Sequence, residues 1–219
     1  KYIVMDVEQA KKINSLLVEE NLQALKDYST FVLLNDTAKY ANANYAKLSD
    51  DMQNALYGIT ESWGDEKTWK RLTQELLPWE FGMIYVKEHF SAKDKEEVEK
   101  MIEQILEEYE TIINRQEWMS EATKKKAVRK LETMQVKIGY PDEWPAARDM
   151  MQVTPISEGG SLLSNLLVSM QVSIEDSLSK LGTKVDRAEW DVTQQTINAM
   201  YDPLNNEIVF PAAILQAPF

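Results

Sequence analysis

The chain has 219 residues, 44% apolar and 27% charged with only seven Gly and seven Pro, a composition that folds around a real core as one large domain or two small ones. Its net charge of −12 argues against a nucleic-acid partner, and the densest basic run, Lys124-Lys125-Lys126 with Arg129 and Lys130, reads as a solvated helix face. The absence of cysteine excludes disulfides, thiolate metal sites and Cys nucleophiles together, and no segment reaches the ~18 apolar residues needed to span a bilayer. The opening KYIVMDVEQAKK is too short and too charged to read as a signal peptide.

The first 134 residues read as helix after helix. Leu22, Leu25, Tyr28, Val32 and Leu33 make one helical face, and Met52, Leu56 and Ile59 a shorter one. A further helical stretch from Glu66 to His89 carries Pro78 in its middle, where a missing N–H and a clash one turn back predict a break or a kink. Trp63, Trp69, Trp79 and Tyr85 are expected in core or inter-helix packing. Val98, Ile102, Ile105, Tyr109 and Ile112 recur at helical spacing as one apolar stripe, and Ser91 with Asp94 offers a capping box at the start of that helix. Ser120 begins the next helix, with Ala127, Val128, Leu131 and Met134 on its buried side.

After Met134 the character changes. QVKIGYPDEW reads as a strand broken by Gly139 and Pro141, and the stretch from 143 to 160 as irregular. A helix from about Ser161 to Leu181 is expected to stop at Gly182 in the C-cap position. TINAMYD and NEIVFP then read as two short strands joined by Pro203-Leu204-Asn205-Asn206. The expected architecture is mainly α: a multi-helix lobe over 1–134, then a small α+β portion over 135–219 with a short β-hairpin.

The residues alone supply no complete active site. His89 is the only histidine, which rules out a two-histidine zinc site within the chain, and its place at a helix end suits a solvent-facing or capping role. There is no Gly-rich phosphate loop, the carboxylates fall at helical-surface spacings, and Ser and Thr lack a histidine to activate them.

TINAMYDPLNNEIVFPAAILQAPF (Thr196 to Phe219) resembles the segment just upstream of the zinc motif in the neprilysin family of zinc endopeptidases, whose pattern runs approximately V-N-A-[FY]-Y-x-P-x-x-N-x-I-V-F-P-A-[GA]-I-L-Q-P-P-F. Asn198, Ala199, Tyr201, Asn206, Ile208 to Ala212, Ile214 to Gln216, Pro218 and Phe219 agree without insertion or deletion. Met200 and Ala217 depart, standing where the family has an aromatic and a proline. MSEATKKKAVRKLETMQVKIGYPDEW (Met119 to Trp144) and VDRAEWDVTQQ (Val185 to Gln195) are similar to further family stretches.

The resemblance implies that 1–134 is a helical cap lobe and 135–219 a crossover with part of the catalytic lobe. It implies that Asn198 and Ala199 lie on an edge strand that holds an extended peptide substrate, and that Ile214 and Phe219 wall the apolar pocket past the scissile bond. By their chemistry alone, Asn198 reads as satisfying a turn, and Ile214 and Phe219 as core packing. The family's H-E-x-x-H helix, downstream Glu ligand and transition-state histidine match nothing here, so zinc is expected in the intact parent and none in this chain. The expected function is that of a fragment of a zinc endopeptidase acting on peptides of limited size, partnered by peptide substrate and by the remainder of the catalytic lobe. That fragment is expected to expose an apolar face over its last 20 residues. The alternative is a non-catalytic helical peptide-binding or scaffold protein. Family members occur in several compartments, and the expectation here is a soluble bacterial form, extracytoplasmic or cytoplasmic.

Overall fold

A computed structural model of the chain describes residues 4–60, 64–145 and 152–217. These fall into two compact units, one within residues 1–64 and 154–167, the other within 65–153 and 168–219. The first unit holds α1 (Val7–Leu16), α2 (Leu22–Thr37) and α3 (Ala43–Tyr57). Asp6 caps α1 by accepting from the Gln9 N–H, and Asn42 caps α3 by accepting from the N–H groups of Asn44 and Tyr45. The α2 face is formed as expected, but Leu22, Tyr28, Val32 and Leu33 are exposed. Ile59 lies past Gly58, the C-cap of α3, so it is not on the helical face assigned to it.

The second unit carries the buried apolar core: Leu72, Phe90, Ile138, Trp190, Val209, Ala212 and Ala213. Pro78 divides the Glu66–His89 stretch into α4 (Asp65–Leu76) and α5 (Pro78–His89). It stands at the first position of α5, where its missing N–H has no helical partner to lose. Then come α6 (Ala92–Arg115) and α7 (Glu121–Glu132). The capping box at Ser91 is complete: the Asp94 N–H donates to Ser91 Oγ, and the Ser91 N–H donates to Asp94 Oδ2 at 2.9 Å.

Two packing expectations are corrected. Trp69 is 56% exposed, and Trp63 lies outside the described residues. On α6, Ile105, Tyr109 and Ile112 face solvent, while Val98, Ile102, Leu106 and Ile113 are half-buried. Apolar pairs at 105–106 and 112–113 make the apolar sector of α6 wider than one stripe, and its contacts with α7 and the first strand cover the Leu106 side.

Three strands form a small sheet in the order β1 (Gln135–Gly139), β3 (Glu207–Pro211), β2 (Met200–Asp202). β2 and β3 are the expected antiparallel hairpin. β1 pairs parallel to β3 in the register Gln135 with Glu207 through Gly139 with Pro211. A parallel pair needs a long crossover, and part of it is α8 (Leu162–Ser179), which starts in the first unit and ends in the second. α8 stops at Ser179, so Gly182 is not its C-cap; with φ +77 it sits in a turn three residues further on, where the Thr183 N–H donates to the Lys180 carbonyl.

Because β3 is the central strand, much of the segment expected to expose an apolar face is covered: among its described residues Glu207, Val209 and Pro211 to Ala213 are buried, while Tyr201 and Leu204 are exposed.

Candidate functional site

The hairpin is held at its turn and at its base. The Asp202 carboxylate accepts from the Leu204 N–H at 2.8 Å and from Asn205 Nδ2 at 2.9 Å, an arrangement that closes the Pro203–Asn206 connection locally. Asn206 adopts φ +51, a conformation asparagine tolerates better than most side chains. Its Nδ2 donates to the Lys130 carbonyl at 2.8 Å and to Thr133 Oγ1 at 3.2 Å, tying the turn to the end of α7. Arg187 adds bonds to the Asn205 and Thr133 carbonyls.

Under the sheet lies a buried ion pair that the sequence reading missed. Lys137 and Glu207 are 5% and 3% exposed, with Nζ 2.9 Å from Oε2 in a geometry not aligned as a hydrogen bond. Lys137 Nζ also donates to the Glu189 carbonyl, which draws the chain before Trp190 onto this face of β1 and β3. The Glu189 carboxylate in turn meets Lys180, which is also paired to Asp176 at 2.6 Å. These two carboxylates, Asp176 first, hold the Lys180 ammonium above its ordinary pKa. The signal for Lys137 was available: in a five-residue strand the period of two puts it on the same face as Gly139.

At the other end of β1, Gly139 has φ +71 and its Cα lies against the ring of Phe90, the residue that ends α5. Phe90 meets Tyr140 edge-on at 6.3 Å, and Lys95 from α6 lies over the Tyr140 ring, 4.6 Å from its centroid, while donating to the Tyr140 carbonyl and to Asp142. The IGYPD stretch is therefore a corner clamped by α5 and α6.

Asn198 and Ala199 are exposed and lie immediately before β2 rather than within it. β2 pairs only with β3 among the described residues and is an edge of the sheet. The Asn198 N–H donates to the Thr196 carbonyl at 3.1 Å, and Asn198 Oδ1 accepts from the Ala199 N–H at 2.9 Å. That bond holds the carboxamide by its oxygen and turns its NH2 group into the available donor. Ile214 is half-buried in the 3-10 turn Ala212–Leu215 that follows β3. Phe219 lies outside the described residues. His89 is exposed at the last position of α5, its ring 4.9 Å from that of Tyr85.

The family model for Peptidase family M13 matches residues 1–141, well over half of the chain. The chain belongs to peptidase family M13. Across all 219 residues this M13 chain is 34% identical to the neutral endopeptidase of Lactobacillus helveticus, covering 33% of that protein. It is 29% identical to mouse (Mus musculus) neprilysin over 99% of the chain and 29% of neprilysin's length. Among solved structures, the crystal structure of PEPO from Lactobacillus rhamnosis HN001 superposes with a TM-score of 0.80 at 32% identity, over 94% of this chain and 32% of that one. The cryo-EM structure of the Mycobacterium tuberculosis zinc metalloprotease ZMP1 in its open state gives 0.77 at 30% identity, over 95% and 32%. The chain thus spans about a third of the length of the relatives it matches.

The M13 chain's own residues do not fit a catalytic zinc. The sequence has one histidine, and no group of three His, Cys, Asp or Glu side chains able to hold a metal occurs among the described residues. Among the described residues, no helix is long and apolar enough to cross a membrane.

Proposed function

We propose that this chain is the cap and peptide-docking part of a zinc-dependent endopeptidase acting on peptides of limited size, with the zinc held by residues outside these 219. In this reading, residues 1–134 are the cap lobe and residues 135–219 are the crossover into the catalytic lobe. The observation that carries the reading is the edge strand β2, entered through exposed Asn198 and Ala199, in a chain of an endopeptidase family.

An edge strand offers unpaired N–H and C=O groups to an extended peptide whatever its side chains. The Ala199 N–H is already engaged by Asn198 Oδ1, so the groups left for substrate are the Asn198 NH2 and the Ala199 carbonyl. One donor and one acceptor, two residues from a strand, suit a single peptide unit of substrate. Ile214, and Phe219 beyond it, would wall the apolar pocket for the next side chain, where burial of a large apolar group contributes ~1.5–3 kcal/mol.

The test uses the complete gene product and a short reporter peptide, with a folded protein as comparison substrate. Chelation of zinc is expected to abolish cleavage, and the short peptide is expected to be cleaved in preference to the folded protein. Asn198→Ala is expected to raise KM about 3- to 10-fold with kcat little changed, the range for losing one hydrogen bond to substrate. Cleavage that survives chelation, or an unchanged KM in Asn198→Ala, would refute the assignment.

A further inference from the structure

Among the described residues, Gln194 is fully buried, at 0% exposure, and neither its Nε2 nor its Oε1 has a hydrogen-bond partner. Oε1 of the neighbouring Gln195 is likewise buried and unpartnered, while its Nε2 donates to the Pro78 carbonyl at 3.1 Å. Burying carboxamide atoms unpaired, both of Gln194's and the oxygen of Gln195, is unfavourable, so what these two side chains fill and touch has to account for their place.

Their surroundings account for it. Both carboxamide oxygens enter the space left by the absent side chain of Gly82 on α5: a Cβ there would lie 2.5 Å from Gln194 Oε1 and 3.0 Å from Gln195 Oε1. On the other side, the Gln194 carbonyl accepts from the Ala213 N–H at 2.9 Å, inside the 3-10 turn that carries Ile214. The same segment then makes a tight turn, with the Thr196 N–H donating to the Thr193 carbonyl and the Asn198 N–H to the Thr196 carbonyl, both at 3.1 Å. One short segment therefore touches α5, holds the turn bearing Ile214, and leads directly into Asn198 and Ala199.

We propose that Gln194 and Gln195, seated in the notch at Gly82, are positioning residues that hold the peptide-docking entry to β2 in register with the turn bearing Ile214. The inference rests on the function proposed above. The Gln195 bond to Pro78 fixes the segment along α5, and Gln194 fixes its depth by filling the notch. The bond from Ala213 to the Gln194 backbone transmits that placement to the apolar wall. A shift of the segment would move the docking groups and the wall relative to each other, changing how well substrate is held without touching the chemistry.

Two readouts on the complete gene product test this. Hydrogen–deuterium exchange needs no activity: Gly82→Ala and Gln194→Ala are expected to speed amide exchange in 196–202 and 212–215 and leave α6 unchanged. Steady-state kinetics on the reporter peptide are expected to show KM raised about 5- to 10-fold in both variants with kcat nearly constant. Gln194→Met, of similar shape but without the carboxamide, is expected to restore the wild-type KM, and Gln195→Met is not, because it loses the bond to Pro78.

Unchanged exchange would overturn the pinning. Faster exchange with an unchanged KM, in an enzyme whose Asn198→Ala variant does raise KM, would overturn the positioning role and leave the docking site standing. A variant that lowers kcat alone reports a smaller active fraction, which also counts against positioning. If Asn198→Ala itself leaves KM unchanged, the docking assignment fails, while the exchange data still decide the pinning.

Discussion

Gly139→Ala places a methyl group where two independent penalties meet. With φ +71, the backbone at 139 is in the left-handed region, which costs an L-residue roughly 1–2 kcal/mol. A Cβ there would stand 2.9 Å from Phe90 Cδ1 and closer still to Cε1. Phe90 is 4% exposed and meets Tyr140 edge-on, so its ring cannot swing into solvent, and overpacking of this kind costs about 1–3 kcal/mol. The expected loss is the sum, about 2–5 kcal/mol. Urea unfolding of the chain, followed by far-UV circular dichroism, measures it as a lowered midpoint at constant slope. Phe90→Ala removes every ring atom in the clash, so in that background Gly139→Ala should cost only the backbone share, about 1–2 kcal/mol. An equal loss in both backgrounds would refute the clash, and a loss below about 0.5 kcal/mol in the native background would refute both terms.

Lys137→Met leaves Glu207 as a buried carboxylate without its cation and is expected to cost about 3–5 kcal/mol in the same assay, whereas Lys137→Met with Glu207→Leu should recover most of the loss; a double variant no better than the single would place the cost elsewhere, in the lost bond to the Glu189 carbonyl. The capping box should leave a pH signature. The Ser91 hydroxyl first, then its backbone N–H, hold the Asp94 carboxyl below its usual pKa. A carboxyl with a lowered folded pKa contributes stability above its unfolded value and loses it as pH falls through the folded one. The stability gap between native and Ser91→Ala chains should therefore be constant above about pH 5 and narrow below about pH 4, read from urea midpoints across that range. A gap independent of pH would remove Asp94 from the cap.

Local physics made much of the chain readable before its fold. Ser91 and Ser120 start helices because their hydroxyls satisfy the first free N–H groups, and Pro78 divides a helical stretch because it has no N–H to give. The β2–β3 hairpin was legible in two apolar runs around Pro203–Asn206, because such a turn is closed by side chains within it, here Asp202 and Asn205. The proposed docking pair, Asn198 and Ala199, is legible through its family motif alone, since an exposed Asn beside a turn has no composition or periodicity that marks it. Where the reading went astray, the deciding partner was distant. Which stripe of α6 is covered depends on α7 and β1, and both stripes satisfy the same helical period.

The order of residues by itself determined where helices begin and break, that a hairpin closes the chain's second half, and that the whole belongs with the M13 peptidases. The tertiary structure alone decided that β1 lies parallel to β3, with 67 residues between their ends in the sequence and no local signal linking them. That pairing makes β3 central and turns EIVFPAA from a candidate exposed face into a stretch with five of its seven residues buried. It also brings Lys137 onto Glu207. In the same unit, folding seats Gln194 and Gln195 in the notch at Gly82. Such contacts join residues separated by more than 50 positions, so their energies appear only when a particular fold closes the loop between them.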